Sequence, residues 1–332
     1  LPNLAQISTN GMKQLLSAPA SNQTFGLQAM TEEIHATFQI ESIHSSRNSI
    51  RHILNGYAPR NEEESRIYGM KRGLDFIAYR QNTITEENLH QLYQISTGDY
   101  LPDEDRLLPD HFYRHDVVYV VGGEESREGL PAQQLPDAMK RLVDFANAKD
   151  GINELHKAAI LHFAFAYYHP YFDGNGRTAR LLHLWYLVQQ GYPAALFTPF
   201  SRYIAESKAA YYKAYDRIEK NALISGYTDV TPFLSYFCNE VYNRLKVDVT
   251  PPQADLQVYQ TALAEGKITE KERLLWEYVL SAYGTEEFTT KQLEKDFRNA
   301  AYATIRTFVM KFHEMGLLAA RKAGNRVFYK VR

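Results

Sequence analysis

The sequence predicts a mainly helical protein with one inserted β-hairpin, followed by a small α+β module. Three observations predict it. Most segments before residue 245 repeat their apolar residues near the 3.6-residue period. One stretch, "HDVVYVVGGEESREGLPAQQ", switches to β-branched residues running into a Gly-Gly turn. The last 65 residues or so read as three helices and two strands.

"GLQAMTEEIHATFQIESIHSSRNSIRHILNG" places Ile34, Phe38, Ile40 and Ile43 on one face and is read as a single helix ending at Gly56. "NEEESRIYGMKRGLDFIAYRQ" carries acids in its first turn, where the helix dipole favours them. "TITEENLHQLYQIST" starts on Thr85, with Asn88 three residues on, and stops at Gly98. After the hairpin, placed at about 116–131, helices resume in "LPDAMKRLVDFANAK", "SRYIAESKAAYYKAYDRIEKNAL" and "TPFLSYFCNEVYNRLKV". "DVTPPQADLQ" opens a linker assigned to 248–265. Beyond it lie "TEKERLLWEYVLSAYG", "FTTKQLEKDF" with Thr289 or Thr290 as cap, and "NAAYATIRTFVMKFHEMG", capped by Asn299 and closed by Gly316. Two strands around Ala323-Gly324-Asn325 finish the chain. Three helices followed by a basic hairpin is the order of a winged helix-turn-helix, assigned to 266–332.

With 45% hydrophobic and 23% charged residues, the 332-residue chain has the composition of a soluble globular protein of about two domains. No run approaches the ~20 apolar residues of a membrane span, and the first residues lack a secretory pattern. One cysteine, Cys238, excludes an internal disulfide and reads as a buried thiol. A cytoplasmic location and no membrane partner are the expectations. The net charge of −2 conceals an asymmetry: from Arg298 onward eight basic residues face one acid, so this tail is +7 and the remainder −9.

Between two apolar helical segments stands "HPYFDGNGRTAR", residues 169–180. A solvated turn between helices is the bland reading, but the combination argues otherwise. Gly174 and Gly176 allow unusual backbone angles and expose N–H groups. Such a loop entering a helix N-terminus makes an anion cradle. Arg177 and Arg180 suit phosphate through their planar forks. Asp173 is a hard oxygen ligand fit for Mg²⁺ on phosphates, and His169 can accept a proton near neutral pH. Together they specify a nucleotide polyphosphate, a metal and a base.

This stretch resembles the signature of the Fic family, H-P-F-x-[D/E]-G-N-G-R-x-x-R, matching eight of nine constrained positions, with Tyr171 in place of Phe. Tyr171 keeps the ring and adds a hydroxyl that needs a partner or water. The hairpin resembles the family's flap, which aligns a target segment by strand addition. The similarity extends from about residue 30 to 245. It implies a Fic-type helical bundle, with an N-terminal helical region (1–105), a catalytic core (106–247) and the flap. It also implies transfer of AMP from ATP to a protein hydroxyl, the target being another protein or the chain itself. On this resemblance His169 deprotonates a Ser, Thr or Tyr hydroxyl and Asp173 holds Mg²⁺. Asn175, with the Gly174 and Gly176 amides, stabilises the α-phosphate, while Arg177 and Arg180 lie on the leaving pyrophosphate.

"TFQIES" resembles the family's inhibitory pattern, [S/T]-x-x-x-E-[G/N], with Thr37, Glu41 and, where Gly or Asn is usual, Ser42. Within an inhibitory helix at about 30–55, Glu41 is then expected to pair with Arg180 and fill the place of the γ-phosphate. Glu41 as an ordinary exposed helix residue, or as the group orienting a water that removes AMP, stays open. In the terminal module Ala300, Ile305, Phe308, Val309, Phe312 and Leu317 form the buried stripe. Arg306, Lys311, Arg321, Lys322 and Arg326 are the candidate nucleic-acid contacts. The rival readings are partner docking by this module, or a DNA-binding regulator whose Fic-like body senses nucleotide. A homodimer is compatible with the sequence, which places no interface.

Overall fold

Short polar side chains start several helices of this chain, and the cap bonds are visible. Asn61 Oδ1 accepts from Glu64 N, Thr85 Oγ1 from Asn88 N and Asn153 Oδ1 from Leu155 N. The structure, a computed structural model, describes residues 27–332 apart from Arg80, Asn325 and residues 121–126, 193–194, 196–197, 246–252, 284–286 and 298–299.

In chain order the first unit holds α1 (Leu27–Ile40), α2 (Arg47–Leu54), α3 (Glu62–Ala78), α4 (Glu86–Ser96), β1 (Tyr119–Val120) and β2 (Arg127–Glu128). Then follow α5 (Leu135–Asn147), α6 (Glu154–Tyr168), α7 (Asn175–Gln189), α8 (Phe200–Glu206), α9 (Lys208–Ser225) and α10 (Thr231–Tyr236). β1 and β2 pair antiparallel, Tyr119 opposite Glu128, which places the hairpin where the sequence put it. Its Gly122-Gly123 turn lies outside the described residues. The central pair is α6 and α7, joined by the loop 169–174. Leu161, Phe165, Leu181, Leu184 and Trp185 bury it among α3, α4 and α5.

Several sequence expectations change. The long first helix is two, because Ser42 adopts φ 58° and the chain restarts at Ser46, whose hydroxyl caps α2. The helix expected to be inhibitory is therefore Leu27–Ile40, shorter than 30–55. The segment 201–223 is also two helices, parted at Ser207, and α10 runs into a π-turn at Phe237–Val241 and a 3₁₀ turn at Tyr242–Arg244. Finally, no boundary falls at residue 105. Ile34, Phe38, Ile67 and Leu92 share one core with Leu142, Phe165 and Leu184, and Ala29–Leu245 forms one unit. The N-terminal helices have no separate core because their apolar faces are already spent on α6 and α7.

The second unit contains Lys246–Arg332. Most of the stretch read as a linker is helix: α11 (Gln253–Ala264), whose Ala262 joins the core of this unit. α12 (Glu270–Ala282) opens on a capping box between Thr269 and Glu272. α13 (Thr290–Phe297) and α14 (Tyr302–Glu314) follow, then β3 (Leu318–Ala323) paired with β4 (Arg326–Val331). Phe288 bridges Tyr329, adding a short third pairing. The N-cap of α14 is Ala301, while Asn299 lies outside the described residues. Ile305, Phe308, Val309, Phe312 and Leu317 are buried as the stripe requires. Among the described residues, no helix is long and apolar enough to cross a membrane.

Candidate functional site

Why the first helix stops where it does decides the position of Glu41. Ser42 N donates to Gln39 O and Ile43 N to Phe38 O, the paired bonds of a Schellman close with Ser42 at its left-handed position. That position favours Gly or Asn, which is the physical content of the pattern's last letter. Ser42 pays for it in backbone strain, with only a 3.3 Å bond from Lys208 Nζ to its hydroxyl. Ser42→Gly is expected to stabilise the protein by about 1 kcal/mol. A rise in thermal midpoint reports it; a fall would count against strain at this residue.

At the close of α1, Glu41 reaches the start of α7. Its Oε2 accepts from Arg177 Nε at 2.7 Å and its Oε1 accepts from Arg180 Nη2. Arg180 Nε donates to Thr37 Oγ1 at 2.6 Å, and Nη2 also reaches Thr37 O. Both guanidinium groups are almost fully buried, 4% and 3% exposed. The expected Glu41–Arg180 pair is thus one half of a two-arginine clasp; Arg177 was placed only on phosphate. Arg177 Nη2 further donates to Asp173 Oδ2 at 2.8 Å.

The glycines locate this clasp on the loop predicted to cradle an anion. A Cβ on Gly176 would meet Glu41 Oε1 at 2.6 Å and Arg180 Nη1 at 3.1 Å, so the carboxylate lies over the first turn of α7. That is where exposed N–H groups and the helix dipole attract an anion. Gly174 is the N-cap of α7 at φ 79°, and a side chain there would run into Thr97. Asn175 is buried and closed on the loop: its Oδ1 accepts from Tyr171 N and its Nδ2 donates to Tyr171 O. It therefore shapes the cradle through the backbone of Tyr171. The Tyr171 ring is fully buried and stacks on Tyr93 at 3.5 Å, and its hydroxyl finds no partner among the described residues.

His169 caps the C-terminus of α6 in left-handed geometry, φ 54°. Burial pushes its imidazole down to about 4, the Arg127 and Arg114 charges assisting against the Ala166 carbonyl. Nδ1 lies 3.3 Å from Ala166 O. A proton on Nδ1 that donates to that carbonyl leaves Nε2 unprotonated, the tautomer a general base needs.

Asp173 is half exposed, and its Oδ1 accepts from Gly174 N. No group of three or more His, Cys, Asp or Glu among the described residues could hold a metal. One accessible carboxylate beside arginines fits a Mg²⁺ that arrives on nucleotide phosphates.

One feature escaped the sequence reading. Glu33 is fully buried, accepts from Ser201 N at 2.9 Å and from the Ser201 hydroxyl, and burial raises its carboxyl. Glu33, Thr37 and Glu41 stand four apart along α1 and the turn that closes it, a polar stripe beside the buried Ile34, Phe38 and Ile40. That spacing was the available signal.

Residues 83–187, from the approach to α4 through most of α7, match the Fic/DOC family. The chain carries a Fic domain. Curated relatives agree: protein adenylyltransferase Fic of Drosophila willistoni is 29% identical over 41% of this chain and 26% of its own length. Protein adenylyltransferase fic-1 of Caenorhabditis elegans is 30% identical over 52% of this chain and 31% of its own. The counterpart in Culex quinquefasciatus is 25% identical over 60% and 35%. The chain thus spans about a quarter to a third of the length of these relatives. In fold, a Fic family protein from Desulfovibrio desulfuricans G20 superposes with a TM-score of 0.56 over 92% of this chain and 86% of that one, at 17% identity. Fic-1 from C. elegans gives 0.52 over 78% and 72%, at 20% identity. The span matched to the family contains the cradle and His169 but not α1, so Glu41 and Thr37 reach the Fic domain from outside it.

The candidate contacts on the second unit divide in two. Lys311 Nζ donates to Glu272 at 2.8 and 2.9 Å, and Arg321 to Glu287 at 2.8 Å, so both cations are already paired. Arg306, Lys322 and Arg326 are exposed.

Proposed function

We propose that this chain is a protein adenylyltransferase that moves AMP from Mg-ATP to a Ser, Thr or Tyr hydroxyl of a protein, restrained by its own Glu41. The observation that carries the reading is the Glu41 carboxylate bound by two buried arginines over the first turn of α7. A site that holds a carboxylate there offers the donors a phosphate would use.

In the reaction the hydroxyl oxygen attacks the α-phosphorus. The new O–P bond forms as the bond from that phosphorus to the bridging oxygen breaks, pyrophosphate departs, and the hydroxyl proton passes to His169 Nε2. Arg177 and Arg180 neutralise the departing charge once Glu41 has left them, and the amides at the start of α7 face the phosphates. Asp173 would hold the Mg²⁺ carried by the nucleotide, which would offset phosphate charge. The test is to incubate the Glu41→Gly chain with Mg-ATP labelled at the α-phosphate and to locate AMP on a hydroxyl residue by mass. Complete absence of adduct overturns the reading.

The lowered His169 pKa sets a pH expectation. A base must be neutral, so transfer is lost as pH falls through about 4 rather than through the ordinary 6.5. kcat/KM should stay flat from pH 8 to 5, where an ordinary imidazole would already have lost more than ~90% of its neutral form. An inflection near 6.5 in the rate profile would exclude this assignment.

For the second unit we propose docking through the hairpin face, where Lys322 and Arg326 are exposed. Contact of this kind with nucleic acid would be to phosphate rather than to bases.

A further inference from the structure

Arg114 is 3% exposed and has no ion pair among the described residues. A buried guanidinium is costly unless its donors find partners; here three main-chain carbonyls accept from it, and the charge of Asp116 acts on it as well. Nε donates to His169 O at 2.8 Å, Nη1 to Asp116 O at 2.5 Å and Nη2 to Leu130 O. Its own N–H donates to Pro170 O at 2.9 Å. Asp116 precedes β1 and Leu130 follows β2, so one side chain ties both feet of the hairpin to the carbonyl of His169. That carbonyl is free to accept because His169 ends α6 in left-handed geometry, and a cation suits a helix C-terminus.

The surroundings are built around this fork. A Cβ on Gly129 would stand 2.7 Å from Arg114 Nη2, 2.9 Å from Val118 Cγ1 and 3.3 Å from His169 Cβ. Gly129 N donates to Val118 O and Leu130 N to Tyr168 O. Among the described residues the hairpin pairs two residues on each side, and Val117 before β1 and Tyr119 within it are exposed, 57% and 64%. An isolated two-stranded hairpin is marginal in water, so its distance from the imidazole is set by what anchors its feet. A polypeptide that brings a hydroxyl to His169 must pass this edge.

We propose that Arg114 is a positioning residue that fixes the hairpin to His169 and so sets the register between a protein hydroxyl and the base. The inference rests on the AMP-transfer reading for its catalytic consequence and on geometry alone for the clamp. A lysine, with a single point of charge, cannot span the three carbonyls.

The experiment compares Arg114→Lys and Gly129→Ala, each in the 332-residue Glu41→Gly chain, by two readouts. The first is hydrogen exchange: the Gly129 and Leu130 amides should exchange at least tenfold faster, with the amides inside α6 and α7 unchanged. The second uses α-labelled Mg-ATP and measures AMP incorporated into the chain against free AMP released by water. Incorporation should fall at least tenfold while release, which needs no docked polypeptide, stays within about threefold. Unchanged exchange, or an equal fall in incorporation and release, overturns the proposal. If the Glu41→Gly parent neither incorporates nor releases AMP, the adenylyltransferase reading fails, and the exchange data alone judge the clamp.

Discussion

Glu41→Gly is expected to raise AMP transfer from Mg-ATP by about 30-fold or more over the unsubstituted chain. The carboxylate makes charge-assisted hydrogen bonds to Arg177 and Arg180, each buried, and such bonds are worth about 1.5–3 kcal/mol apiece. Even the lower figure, counted once and reinforced by the second bond, biases the site against phosphate by one to two powers of ten. A second consequence separates release of a restraint from a gain of contacts. Without nucleotide, the variant leaves two buried cations short of an anion, and its thermal midpoint should fall, by ~2–4 °C for each kcal/mol in a unit of this size. Asp173 still holds Arg177 and Thr37 still holds Arg180, so the loss stays moderate. Mg-ATP should then raise the midpoint of the variant more than that of the parent. A transfer rate equal to the parent's, with the parent already at full activity, would remove Glu41 from any regulatory role.

His169→Ala in the released background is expected to cut AMP transfer by about 10³-fold, within the range general bases supply, and to leave nucleotide affinity within about threefold. The reason is location. His169 closes α6, whereas the arginines, the glycine amides and Asp173 belong to the far end of the loop and the first turns of α7. Alanine retains a Cβ and hence the strain at φ 54°, so the loop geometry is little altered. Calorimetry with Mg-ATP and product analysis by mass check the two halves separately. Transfer equal to the parent's would reject proton abstraction by this residue, and lost affinity would move His169 into the phosphate cradle.

Much of this was legible in the chain itself. The motif from His169 to Arg180 carries the candidate cradle, base and metal carboxylate within twelve positions, so local spacing alone brings them together. Thr37 and Glu41 were legible as a pattern, and the terminal module as an order of elements. Helix ends were less so: the break after Ile40 hangs on one serine in left-handed geometry, and apolar periodicity continues across it through Ile43. The division at residue 105 failed for a related reason, since periodicity shows that a face is buried but not against what.

What the sequence by itself determined is therefore local: which residues are chemically able to bind a nucleotide and move a proton, and which helices carry them. Tertiary structure decided the partnerships. Arg177 shares Glu41 with Arg180 across 136 residues, Glu33 fastens the same helix to Ser201 across 168, and Arg114 reaches His169 across 55. Each joins charge or polarity to a distant group under burial, where an unpaired partner is too costly to leave. Spacing along the chain does not encode such pairs; only packing brings them within a hydrogen bond.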